Sequence, residues 1–184
     1  MILAWWLLAS TGMLIARHFR KIFPGKTVLG TTAWYQIHRS TMIVSVVLQM
    51  IAFGLIFIQC GEWLGFCTRA CEYEDFATVL HTILGLVSSI TALLQPFIAW
   101  ARPKPTHKYR FIFNFGHWLL GNGAFVLATI TIFLSLPLGK AGLLRTYGFL
   151  PQGLMGLYVV CFVSTCIGLE IVTLLLQRRK LDNM

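Results

Sequence analysis

The chain has 184 residues, 57% of them hydrophobic and only 11% charged, with a mean hydropathy of +0.75. A water-soluble domain carries about a quarter charged residues, so that class is excluded, as are disorder, collagen and a disulfide-knotted secreted miniprotein. The net charge of +9, from 15 basic and 6 acidic residues, reads on so apolar a chain as membrane topology; no nucleic-acid partner is expected, because that would need a basic face on a soluble module.

A hydrocarbon core about 30 Å thick is crossed by roughly 20 apolar residues of helix. Residues 2–18 form the first apolar segment, with about 15 uninterrupted apolar positions before Arg17. It has no basic leader and no small-residue cleavage site, so it is not a signal peptide. Either the first helix is naturally short, or the chain begins partway into a helix; the second reading is favoured. Full-length spans follow at about 33–59, 76–101, 111–136 and 150–177. The expected fold is therefore all-α, a single transmembrane helix bundle of five spans over residues 1–184.

Lys and Arg set the orientation. Arg17, Arg20, Lys21, Lys26, Arg39, Arg102, Lys104, Lys108, Arg110, Arg178, Arg179 and Lys180 fall on one side, and only Arg69, Lys140 and Arg145 on the other, with the acidic Glu62, Glu72, Glu74 and Asp75. The N-terminus is expected outside and the C-terminus in the cytoplasm. Pro103 and Pro105 stiffen the basic turn, Pro137, Gly139 and Gly142 open an outer loop, and Pro96 is expected to kink the third span. Cys60, Cys67 and Cys71 allow one outer disulfide with one thiol left over, whereas Cys161 and Cys166 read as small apolar packing groups. No zinc-site spacing is present.

Five histidines remain. His18 and His107, among basic residues, read as solvated loop groups, but His38, His81 and His117 lie inside apolar spans, where an ionisable side chain is costly and usually functional. At 1.5 Å per residue each sits roughly 10 Å inside its helix end. His38 and His117 share the cytoplasmic leaflet, and His81 lies in the other, on the order of 10 Å away. Two imidazoles at one depth on two helices meet the need of a six-coordinate haem iron, a form suited to electron transfer because no open position is left for oxygen. Gly85 and Gly121 each follow a histidine by four residues, on the same helix face, and would let a flat ring lie against the backbone; close helix packing is the plainer use of such glycines.

Arg39 and Arg110 stand near the cytoplasmic ends of the same helices, where haem propionates would emerge, although positive-inside flanking accounts for them equally. Glu170, about 10 Å inside the fifth span, could pair with a basic residue or relay a proton. Trp5, Trp6, Trp34, Trp100 and Trp118 read as interface anchors. Two other function classes remain open: a structural or regulatory membrane scaffold without haem, and a small transporter in which His81 and Glu170 relay protons.

The stretches Gly12-Met-Leu-Ile-Ala-Arg-His-Phe-Arg20, Trp34-Tyr-Gln-Ile-His-Arg39, His81-Thr-Ile-Leu-Gly85, Gln95-Pro96 and Arg102-Pro through Asn114-Phe-Gly-His-Trp118 span nearly the whole chain. In order and spacing the chain resembles the cytochrome b561 family, in particular the membrane domain of its DOMON-fused, ferric-chelate-reductase-like members. The resemblance implies a six-helix bundle in which four histidines on four successive helices hold two b-type haems. His38 and His117 match the cytoplasmic pair, and His81 matches half of the outer pair. Its partner belongs to a His-Gly-x-x-Met segment that would fall just before Met1, and the first helix of the six has no counterpart. Arg17, Arg20 and Lys21 match the positions serving a cytoplasmic donor such as ascorbate. The implied activity is that of an oxidoreductase, carrying electrons across the membrane to an outer acceptor such as a ferric chelate or monodehydroascorbate. One bis-histidine haem b per chain is expected, with the second site lacking a ligand and activity correspondingly impaired. Lipid is the surrounding partner, the plasma membrane or an endomembrane the expected location, and a homodimer is compatible with the sequence.

Overall fold

A computed structural model describes residues 1–20, 25–60, 76–136, 138 and 146–182. Lys21, Glu62, Cys67, Arg69, Cys71, Glu72, Glu74, Asp75, Lys140 and Arg145 lie outside the described residues, and with them the expected outer disulfide and acidic cluster.

The first helix, α1, joins a wide π-type segment Leu3–Ala9, an α segment Ser10–Leu14 and a second π-type segment Ile15–Phe19. It is shorter than the roughly 20 residues that cross a bilayer. A two-residue hairpin follows: β1 (Thr27–Val28) pairs antiparallel with β2 (Thr31–Thr32), Thr27 opposite Thr32. Leu29 and Gly30 turn the chain at φ of 50° and 74°, the left-handed geometry that a two-residue hairpin loop demands. This small ribbon was not expected from the sequence.

Four long helices complete the fold: α2 (Ala33–Cys60), α3 (Phe76–Trp100, continuous through Pro96), α4 (Arg110–Ser135) and α5 (Leu150–Asp182). Their stretches Ala33–Ile58, Phe76–Trp100, Arg110–Ser135 and Leu150–Arg179 are long and apolar enough to cross a membrane. They coincide with the predicted spans to within two residues at nearly every end. The chain is thus an all-α multi-pass integral membrane protein.

Burial is inverted relative to a soluble protein. The surface carries Ile51, Leu55, Ile58, Phe97, Trp100 and Leu174, while Ser10, Ser45, Gln49, Ser88, Ser89, Thr131 and Thr173 are buried. Where the surroundings are hydrocarbon, apolar burial gains little, and helices associate through small side chains and internal hydrogen bonds. Both devices are present. Ala92, Ala124 and Ala128 let α3 and α4 form the most extensive helix pair. Trp5 Nε1 on α1 donates to Gln49 Oε1 on α2 at 2.8 Å, Gln49 Nε2 donates to Ser89 Oγ on α3 at 2.8 Å, and Ser89 Oγ donates to the Gly85 carbonyl at 2.7 Å. α5 joins α1 through Tyr158, which donates to the Trp6 carbonyl at 3.0 Å and stacks on the Trp6 ring at 4.3 Å. Trp5 and Trp6 are therefore interior groups tying helices together, not interface anchors; Trp100 and Trp118 are exposed, as anchors would be.

Candidate functional site

His38 lies in the second turn of α2, facing α1. Its Nδ1 is 2.9 Å from the Gly12 carbonyl. A carbonyl can only accept, so the proton is on Nδ1 and the Nε2 lone pair is free for a metal. Gly12 makes this contact: a Cβ built there would lie 2.6 Å from Thr41 Oγ1 and 3.0 Å from Met42 Cε. Only a residue without a side chain lets the backbone of α1 come that close to α2. The role of Gly12 depends on helix register, which no local sequence signal carries.

Across from His38 stands His117 of α4. The two ring centres are 6.5 Å apart and the planes nearly perpendicular, at 85°. Phe113, one turn earlier, stacks on His117 at 5.7 Å and 7° and fixes its plane. A metal–imidazole bond of about 2.0 Å plus about 1.1 Å from nitrogen to ring centre would separate the centres of two imidazoles on opposite sides of one metal by about 6.2 Å. The observed spacing fits an iron held between them. Among the described residues no group of three or more His, Cys, Asp or Glu side chains could hold a metal ion.

His81 on α3 repeats the hydrogen-bond pattern, with Nδ1 at 2.9 Å from the Thr131 carbonyl of α4. Thr131 also fills the space over Gly85, its Cγ2 only 3.2 Å from a Cβ built there. Gly85 thus serves close helix approach, and the space over Gly121 is taken by Gln95, whose Oε1 lies 3.8 Å from a built Cβ. Fourteen residues of α4 separate His117 from Thr131, about 21 Å of helix at 1.5 Å per residue. The carbonyl that His81 meets thus lies well along α4 from His117.

Four arginines lie over aromatic rings on the helices that carry His38 and His117 or on the adjoining segments. Arg102 lies over the Tyr35 ring at 5.3 Å and is near enough for its charge to act on both imidazoles and on Arg110. Arg110 donates to the Pro103 carbonyl and covers Phe113 at 5.6 Å. Arg39 donates to Gln36 at 2.9 Å and also lies over the Tyr35 ring, at 5.9 Å. Arg20 covers Trp34 at 5.6 Å. Sequence reading treated Arg102 as topology alone; its place just after α3 and before Pro103 turns it over the site.

The candidate donor residue Arg17 is engaged: its Nε and Nη2 donate to the two carboxylate oxygens of Glu170 at 3.3 and 3.2 Å. Of the two roles open to Glu170, the structure shows pairing. His18 departs from the solvated-loop expectation. It lies on α1 and is 3% exposed, with Nδ1 3.4 Å from Thr173 Oγ1 and 3.8 Å from Glu170. His107 is exposed and accepts from the Tyr109 N–H at 3.2 Å, as a turn residue does.

Apolar-coated spanning helices around buried polar groups define a multi-pass membrane protein with paired imidazoles in its interior. The chain is 33% identical over 172 residues to ferric-chelate reductase 1 of Homo sapiens, covering 94% of this chain and 26% of that protein. It is 32% identical over 182 residues to ferric-chelate reductase 1 of Bos taurus (97% and 28%), and 28% identical over 167 residues to a cytochrome b561 and DOMON domain-containing protein of Arabidopsis thaliana (91% and 39%). The chain belongs to this family of ferric-chelate reductase 1 and cytochrome b561/DOMON proteins. It spans 20% to 29% of the length of the ferric-chelate reductases it matches. No family model and no solved structure matches the chain.

Proposed function

We propose that the chain carries electrons across a membrane through a b-type haem held between His38 and His117, drawing on a cytoplasmic enediol donor of the ascorbate kind and serving an outer acceptor such as a ferric chelate or monodehydroascorbate. The observation that carries this reading is the 6.5 Å imidazole pair in an apolar bundle whose relatives are reductases and b-type cytochromes. Haem, when bound, would supply a one-electron ferric–ferrous couple, and His38 and His117 would hold it in a form that leaves no open position for oxygen.

The chain's own residues do the rest. Gly12 orients His38 through the carbonyl bond and Phe113 orients His117 by stacking. Arg102, Arg110 and Arg39 set a positive mouth that suits propionate carboxylates and attracts an anionic donor. Arg20 extends that field, while Arg17 takes part only by leaving Glu170. This chain supplies one complete axial pair, with His81 as a single imidazole at the other level. We take the basic ends of α2, α4 and α5 to face the cytoplasm, because Lys and Arg gather on that side of a membrane protein, and on that topology the pair would stand nearest the cytoplasm.

Proteoliposomes test the reading. With ascorbate on the face bearing the C-terminus and a ferric chelate on the other, ferrous product is expected from the full chain and at least tenfold less from His117→Ala. Equal rates for the two would overturn the proposal.

A further inference from the structure

Gln95 and His117 share an anomaly. His38 and His81 each give their Nδ1 proton to a backbone carbonyl, whereas Nδ1 of His117 is buried with no hydrogen-bond partner, as are both Oε1 and Nε2 of Gln95. A buried polar atom without a partner is costly, so three such atoms on these two side chains call for an explanation.

The arrangement around His81 supplies one. There the residue that fills the space over the glycine four positions on, Thr131 over Gly85, also accepts the imidazole proton. The same relation recurs with the helices exchanged: Gln95 of α3 fills the space over Gly121, four positions after His117 of α4, with its oxygen toward the glycine. A side chain against position i+4 lies on the histidine's own face of the helix. Here the acceptor is an amide oxygen rather than a carbonyl of the backbone, and it is unused.

We propose that Gln95 is the positioning residue for His117: its amide oxygen takes the Nδ1 proton, directly or through one buried water, and holds Nε2 toward the iron. This rests on the reading of His117 as an axial ligand. An acceptor at Nδ1 makes the imidazole more basic and favours ferric over ferrous iron, so it lowers the midpoint potential.

The test compares the full haem-loaded chain with Gln95→Leu, Gln95→Met, Gln95→Glu and His117→Ala, reading haem content, midpoint potential and the low-spin ferric EPR signal. Gln95→Leu and Gln95→Met are expected to keep the haem but shift the potential upward and move the EPR signal; Gln95→Glu, which retains an acceptor, is expected at or below the wild-type potential. The methionine variant, closer in shape, decides the matter if the leucine variant does not fold. Full haem content with an unmoved potential in Gln95→Leu or Gln95→Met would overturn the role of Gln95 while leaving His117 as a ligand. Wild-type haem content and EPR in His117→Ala would overturn the ligand reading itself.

Discussion

At Gly12 the chain has no room for a methyl group: the nearest neighbour of a built Cβ is the Thr41 hydroxyl oxygen at 2.6 Å, and Thr41 is itself tied to the Ile37 and His38 carbonyls at 2.9 and 3.0 Å. Gly12→Ala must push α1 away from α2 and carry the carbonyl off His38. Overpacking of this kind costs about 1–3 kcal/mol, and thermal unfolding in detergent should show that loss together with reduced haem binding. Gly123→Ala, with open space around it, is the control and should match wild type in both. Gly12 stood within a recognised motif, yet its purpose was invisible there because the clash is with another helix. Gln49 and Gln95 did leave a trace, since an amide in an apolar span needs a partner; which partner only the packing reveals.

Helix elements were the most legible level. Four runs of apolar residues translated directly into α2 to α5, because bilayer thickness fixes the length and the absence of water fixes the backbone hydrogen bonding. Less legible were the wide π-type turns of α1 and the Thr27–Thr32 hairpin, both of which depend on backbone detail rather than on hydropathy. What holds the elements together can be ranked by magnitude. Interhelical hydrogen bonds inside membranes average about 0.6 kcal/mol, so Gln49→Leu, which breaks the bonds to Trp5 and Ser89, should cost on the order of 1 kcal/mol. Ala128→Leu forces a large side chain into a core position only 2% exposed and should cost about 1–3 kcal/mol. Chemical unfolding of the two variants side by side checks the order; a more damaging Gln49→Leu would show that polar links, not close packing, dominate the bundle.

Across the whole molecule, His38 and His117 form one imidazole pair, His81 meets a carbonyl about 21 Å along α4 from His117, and His18 packs apart from both against Thr173. Hydropathy and helix rise put His38 and His117 at one depth on two helices, and in the fold their ring centres stand 6.5 Å apart. The set of arginines was legible only in part: charge counting found Arg39 and Arg110, while Arg102 needed the fold of the turn after α3. The account depends on one pair of imidazoles closing on one iron, and the haem-to-chain ratio of the purified protein tests that most directly. One haem per chain in the wild type and in His81→Ala, and none in His38→Ala or His117→Ala, is the result expected; a haem retained in His38→Ala would contradict it.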